Sequence, residues 1–432
     1  MKEFYVCAKY KMAIPPSVAP AGGVILPSGI ALHRLERRDL VKSYPHLARR
    51  LLDPQLYLIG LNAATSRNAC ANLASYPWFP VKKRVDYDSK KHKKGVWGTA
   101  VRAVIHKQWV RDLPATATGV SDTIRQCLDV QSRVGVEGYI LPAPLTQDIN
   151  TPFDVELDWM ERGLALAKAL GDGRPVYASI ALSDTTVRGP DPWKNPLLDL
   201  ILDQVTARHV RNVYLVLEQA NEDGYYCTHP HTVGALLRLC DALKRGGVER
   251  VLVGYAGTAG LLTLAAGADA WTSGWYRSER RLKLADFEDH IGLSFPAYYS
   301  HPLGGEFHLE HDLDNAVAGG FLSRIADRTP ASEGLLRALS AKKGASAVAE
   351  WRHSRSHVQS AIEHFQIVCV RETNALAAVS DKKAFEAVKT WLIGADQLAT
   401  DLYSIGSFHP RTSVNHQAGW LEAFLSYEKN RA

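Results

Sequence analysis

Residues 250–281, RVLVGYAGTAGLLTLAAGADAWTSGWYRSERR, decide the fold. Val251 to Gly254 forms an apolar strand that runs into a turn punctuated by Gly257 and Gly260, and a short Leu/Ala helix follows. After Gly267-Ala268-Asp269 a second strand begins, ending in Trp275-Tyr276 ahead of Arg277, Arg280 and Arg281. So short a helix between two strands fits the tight parallel packing of a βαβ unit. The last strand carries aromatic and cationic side chains to its carboxyl end, where parallel α/β folds hold their ligands. Such groups suit a nucleobase and its phosphates.

The same pattern repeats outward. Strands are expected at 56–61, 138–141, 175–182, 213–217, 251–254, 270–273 and 292–297, with helices at 154–170, 196–208, 232–245 and 260–266. Apolar runs of about five to eight residues with little alternation belong to strands buried on both faces. Repeated βα units in this number favour an α/β fold of the closed (β/α)8 TIM-like barrel type over an open sheet. Residues 1–54 read as an N-terminal extension with a short strand (3–8), a Pro/Gly-rich loop and a basic helix. Residues 55–302 read as the barrel, and residues 303–432 as a mainly helical C-terminal region (314–326, 334–346, 357–376, 383–403).

A chain of 432 residues with 46% hydrophobic content can bury one large core or two smaller ones. The net charge of +6 and pI near 8.9 permit a polyanionic partner without requiring one. Six scattered cysteines with no C-x-x-C read as reduced thiols. The N-terminus lacks the apolar core of a signal peptide, and no window approaches a membrane span. A cytoplasmic protein with no membrane partner is expected.

The longest interruption, 76–109, reads as a basic insertion over the catalytic face. Lys82, Lys83, Arg84, Lys90, Lys91, Lys93 and Lys94 put seven cations within thirteen residues, flanked by Trp78 and Trp97. Phosphate attraction beside stacking planes suits a nucleic acid, although a Lys run also reads as a solvated loop.

Strand-G-x-G-T, a helix, L-x-x-G-x-D and a strand followed by R-x-x-R resemble the late strands of the tRNA-guanine transglycosylase superfamily. Here those positions are Gly254 to Thr258, Gly267-Ala268-Asp269, Arg277 and Arg280. The likeness spans residues 55–300 loosely. It implies a (β/α)8 barrel acting on the N-glycosidic bond of a base in a polynucleotide. Three features depart from the family: its covalent Asp position holds Thr272, its Cys-rich zinc site is missing, with Cys369 the one late cysteine, and the strand at Tyr139 runs into Pro142 and Pro144 where the family carries an Asp. The resemblance therefore implies N-glycosidic chemistry without covalent base exchange. Anti-phage DNA glycosylases that remove glucosylated hydroxymethylcytosine fit that description, and DNA is the expected partner ahead of tRNA.

Among the residues themselves, Val213 to Leu217 ends in Glu218, Gln219 and Asn221. A carboxylate at a strand mouth is partly desolvated, which raises its pKa towards neutrality. The amides beside it suit a base edge or a sugar hydroxyl, though Asn221 to Gly224 is also a plain turn. Asp184 ends the preceding strand and would share that mouth, or cap the turn before Thr185. Paired carboxylates suit glycosidic cleavage, one stabilising the cationic sugar and the other handling protons. Glu218 and Asp184 are thus the expected catalytic pair. Asn62, Gln219, Asn221, Tyr255, Trp275 and Tyr276 are the expected substrate contacts, with Arg277 and Arg280 joining the Lys-rich segment on phosphates. Cys227/His229/His231 and His308/Glu310/His311/Asp312 match no common zinc spacing, so no metal and no cofactor are expected. A carbohydrate-active barrel pairing Glu218 with Glu350, a tRNA-modifying transglycosylase-like enzyme and a non-catalytic nucleic-acid binder stay open as alternatives.

Overall fold

Eight parallel strands close into a barrel in a computed structural model of the chain. It describes all residues except 9–13, 15–17, 19–21, 38, 84–95, 149–152, 223, 290–294, 353–357, 407, 410–411, 413 and 432. The strands are β1 (Glu3–Cys7), β2 (Gly23–Pro27), β3 (Arg49–Asp53), β4 (Tyr139–Ile140), β5 (Val176–Ser183), β6 (Asn212–Glu218), β7 (Arg250–Gly254) and β8 (Ala270–Gly274). Their hydrogen-bonded order is 3-2-1-8-7-6-5-4, so each strand lies beside its neighbour in sequence and β8 pairs with β1. The seam falls between β3 and β4. There the Glu137 amide donates to the Arg50 carbonyl (3.1 Å), and the Glu137 carboxylate takes the Arg50 amide (2.6 Å) and pairs with its guanidinium. The chain is an α/β protein with a (β/α)8 TIM-like barrel.

The first 54 residues are therefore not an extension; they supply three staves. The run 56–61 is not a strand. Asp53-Pro54 ends β3 because Pro54 has no N–H for a ladder, Gln55 turns left-handed (φ 50°), and Leu56–Leu58 form a single 3-10 turn. The barrel ends at Gly274. Of the strand expected at 292–297, residues 292–294 lie outside the described residues, and Ala297 instead opens β9 (Ala297–Ser300), which pairs antiparallel with β10 (Gly305–His308) outside the barrel.

The expected barrel helices appear at Asp154–Leu170, Pro196–Ala207, Pro230–Arg245 and Gly260–Ala265. A further helix, Ala117–Val134, starts at Thr116, whose side chain accepts the Gly119 amide, and stops at left-handed Gly135. The C-terminal helices Gln359–Ala377 and Asp381–Tyr403 fall where periodicity puts them, and Gln417–Asn430 adds a third. Helix Gln359–Ala377 lies on β1, and Gln417–Asn430 lies along Pro230–Arg245. Phe365, Val368, Phe385 and Trp420 share one apolar core with Phe4 and Trp271. A separate smaller core gathers Tyr298, Phe307, Leu336, Trp351 and Leu402.

The barrel's two rims differ in chemistry. At the amino-terminal rim Glu3 pairs with Arg49 (2.8 Å) and Arg250, a closed ionic plug. At the carboxyl rim the strands end in Asp53, Ser183, Glu218 and Gly274. Among the described residues, no helix is long and apolar enough to cross a membrane.

Candidate active site

Parallel register brings the expected carboxylates together. Ser183 of β5 is paired with Glu218 of β6, so Asp184, one residue on, stands beside Glu218 at the carboxyl rim. The Ser183 hydroxyl donates to Glu218 Oε2, and the Leu284 amide also donates to that carboxylate. Glu218 is 3% exposed. Burial pushes its pKa above the ordinary glutamate value and the Asp184 charge adds to this, against Ser183, Leu284 and the Lys283 ammonium. Asp184, fully buried, accepts the Asn221 amide (3.0 Å) and Asn221 Nδ2 (2.8 Å), with Arg188 Nη1 at 4.0 Å. Its carboxylate thus faces across to the next loop. Asn221, itself exposed, holds Asp184. The Gln219 amide donates to the Leu282 carbonyl (2.7 Å), and its buried Oε1 has no protein partner. Gln219 lines a small hollow of about 20 Å³ with Thr232, Cys227 and Tyr255.

A second carboxylate centre lies at the end of β3, where the reading from sequence saw none. Asp53 is fully buried. Its Oδ2 accepts the phenols of Tyr57 (2.6 Å), Tyr255 (2.9 Å) and Tyr214 (3.0 Å), and Oδ1 accepts the Gln55 amide (3.0 Å). Burial raises the Asp53 pKa against these donors, and burial with the nearby Asp53 charge pushes all three phenols well above theirs. Gln55 is clamped, Oε1 accepting the Gly29 amide (2.8 Å) and Nε2 donating to the Tyr255 hydroxyl (2.9 Å). Close packing fixes the cluster: a Cβ on Gly254 would stand 2.5 Å from the Tyr214 hydroxyl. Tyr255 sits in the left-handed region (φ 53°) with its amide on Thr272 Oγ1 (3.1 Å). At the position of the resembled family's covalent Asp, this chain has a threonine that pins Tyr255. The signal for Asp53 was present, since Leu51-Leu52-Asp53 is an apolar run ending in a carboxylate like Val216-Leu217-Glu218.

Tyr255 and Gln55 line a cleft at the mouth with Cys7, Arg281, Asp286 and Phe287, about 30 Å³ in volume. Through Gly29, Asp286 and Phe287 it adjoins a larger hollow of about 150 Å³ bordered by Asn68, Asn72, Glu288 and Asp289.

Other expected contacts fall elsewhere. Arg277 and Arg280 turn inward onto the buried carboxylate of Glu306 (2.9 and 2.6 Å), so they join barrel to hairpin and do not present themselves to phosphates. Arg280 also lies 3.4 Å from the Phe365 ring centroid. Burial alone would push Glu306 up, and the two guanidiniums reverse this and hold it below the glutamate range. Trp275 is fully buried, with its amide on the Cys7 carbonyl (3.0 Å), and is core; Tyr276 is half-buried on the same core. Asn62 is exposed and closes its own turn, Oδ1 accepting the Ala64 amide (3.0 Å), because no strand carries it to the rim.

Within the basic segment, Lys82 and Lys83 are exposed, while Arg84, Lys90, Lys91, Lys93 and Lys94 lie outside the described residues. Of its two flanking tryptophans, Trp78 is structural, its Nε1 donating to the Pro54 carbonyl (3.1 Å), and the side chain of Trp97 lies outside the described residues; Trp109, at the end of the insertion, donates its Nε1 to the Ile59 carbonyl (3.0 Å). Glu350 is exposed in the turn Ala349–Trp351, whose Trp351 belongs to the smaller core, so it does not pair with Glu218 at the rim. His229 and His231 meet edge to face at 5.4 Å, and His308 stacks on His409 at 4.5 Å. Among the described residues, no three His, Cys, Asp or Glu side chains are grouped to hold a metal. Neither a known protein-family model nor a curated protein matches the sequence.

Proposed function

We propose that this chain hydrolyses an N-glycosidic bond in a nucleic acid, excising a modified base from DNA and leaving an abasic site. The observation that carries the reading is the desolvated Glu218 beside Asp184 at the carboxyl rim of a (β/α)8 barrel. Burial favours the neutral form of Glu218, and it is this form that gives its proton to the leaving base. As the C1′–N bond breaks, the bonding pair goes to the base, which takes that proton. Asp184 contributes negative charge near the cationic sugar, and the Glu218 carboxylate then removes a proton from the attacking water. Water adds to C1′, and Glu218 returns to its protonated form.

The resemblance in the β7–β8 segment supports a base in a polynucleotide as substrate. A glucosylated hydroxymethylcytosine of viral DNA, removed in anti-phage defence, is the specific form proposed, in a cytoplasmic setting. The larger hollow supports it, because carboxylates, the amides of Asn68 and Asn72, and the Phe287 ring are the groups that hold a hydroxyl-rich substituent. Exposed Lys82 and Lys83 support contact with the polyanion.

The test is incubation of the protein with ordinary DNA, glucosylated viral DNA and tRNA, scored for alkali-labile abasic sites. Release from the glucosylated DNA is expected, and Glu218→Gln should abolish it while DNA binding is retained. Base release by the variant at the wild-type rate would refute the role of Glu218. Activity on tRNA alone would move the substrate to RNA.

A further inference from the structure

The segment Arg280–Asp289 is laid across the carboxyl mouth as a strap. Leu282 forms a parallel bridge to Glu218, and its carbonyl accepts the Gln219 amide (2.7 Å). The Arg280 carbonyl accepts the Gly257 amide (2.8 Å), and the Asp289 amide reaches the Thr65 carbonyl (2.7 Å). Leu284 donates its amide to the Glu218 carboxylate. The strap therefore lies directly on Glu218. Glu218, Asp184 and Asp53 are all buried beneath it, and the cleft at its edge measures only about 30 Å³.

Two cations fasten it, both on a single neutral atom. Lys283 Nζ (2.5 Å) and Arg281 Nη1 (3.2 Å) each donate to the backbone carbonyl of Glu222. Arg281 is also paired with Asp286 (3.0 Å), whereas the Glu222 carbonyl is the acceptor Lys283 uses. An ammonium gains more from an anionic oxygen than from a peptide carbonyl, since charge-assisted bonds between two ionised groups are the stronger kind. A phosphodiester arriving at the mouth offers such an oxygen. We infer that Arg281 and Lys283 form a phosphate-binding site for the nucleic acid, and that their transfer from the Glu222 carbonyl to the backbone of the incoming strand lifts the strap from Glu218. This rests on the glycosylase reading for the nature of the ligand. It goes beyond that reading in assigning two residues and a movement to substrate entry.

Hydrogen exchange on the full chain, with and without a single-stranded oligonucleotide, tests it. The Gln219 and Gly257 amides bond to the strap, so local opening should release them on the order of tenfold faster than the Val216 and Leu217 amides inside β6. Bound oligonucleotide should speed them further. Lys283→Ala should weaken oligonucleotide binding and reduce its salt slope by about one, and Lys283→Arg should restore both. Gln219 and Gly257 amides that exchange no faster with oligonucleotide bound overturn the inference, as does Lys283→Ala binding with unchanged affinity and slope. A wild-type protein that binds no oligonucleotide overturns both this and the glycosylase reading. Unaltered base release in Glu218→Gln, with the Lys283 effects intact, overturns the catalytic assignment alone.

Discussion

Glu218 carries a cost that its surroundings make conditional on pH. In the unfolded chain it ionises near the ordinary glutamate value of about 4.3, whereas in the fold burial and Asp184 raise that point. Below the unfolded value the side chain is neutral in both states and the fold bears no penalty. As pH climbs through the raised value, ionisation of the buried group drains stability. Glu218→Gln removes the ionisation, and the amide oxygen still accepts from Ser183. Urea unfolding should therefore show the variant gaining on the wild type between pH 4 and pH 8, with little difference at the lower end. An equal difference at both pH values would mean that Glu218 is not held above its ordinary range. At this scale the sequence was half legible. Glu218 and Asp184 were readable because an apolar strand ending in a carboxylate is a local pattern. The inward turn of Arg277 and Arg280 was not, because their partner Glu306 lies on a hairpin some thirty residues away in sequence.

Among the elements, the readable ones repeat a single period. Helix Asp154–Leu170 and strands β5 to β8 declare themselves by 3.6-residue spacing or by mainly apolar runs with little alternation. The missed strands begin with polar residues or emerge from a loop: β3 opens on Arg49 and Arg50, and β2 follows a Pro/Gly-rich loop. The run 56–61 had the composition of a strand and lost that conformation to Pro54 and left-handed Gln55. Close approach between elements was equally hidden. Gly274 ends β8, and a Cβ there would stand 2.2 Å from the Glu279 backbone, which has no side-chain freedom with which to yield. Gly274→Ala should displace the turn Arg277–Glu279 and lower stability by about 1–3 kcal/mol, the usual cost of overpacking. Thermal melting with an unshifted Tm would show that the turn moves freely.

At the scale of the whole molecule, barrel and C-terminal region are one folding unit. Trp271 of β8 donates its indole N–H to Thr373 of helix Gln359–Ala377 (2.9 Å) and packs on Phe4 with ring centroids 4.6 Å apart. Phe365, Val368, Phe385 and Trp420 complete that core. Each such side chain is worth about 1.5–3 kcal/mol when buried, against a total stability of about 5–15 kcal/mol for a typical domain. A chain ending at residue 302 should therefore fail to fold, appearing insoluble or strongly dye-binding with a collapsed near-UV circular dichroism signal. A cooperative melt from the truncated chain would show that the barrel stands alone. The sequence suggested a region packed onto a barrel, because helical periodicity identifies a helix without naming the face it covers.

The junction of β3 and β4 has a mechanical consequence. Seven of the eight joints around the cylinder are ladders of paired strands, while the eighth is a clasp made by the backbone and side chains of Arg50 and Glu137. Asp53, the buried anchor of the three phenols, ends the stave on one side of that clasp. Parting Arg50 from Glu137 would loosen the hoop at its one unladdered joint, so the girth of the cylinder and the setting of a buried acid are tied to the same pair of residues.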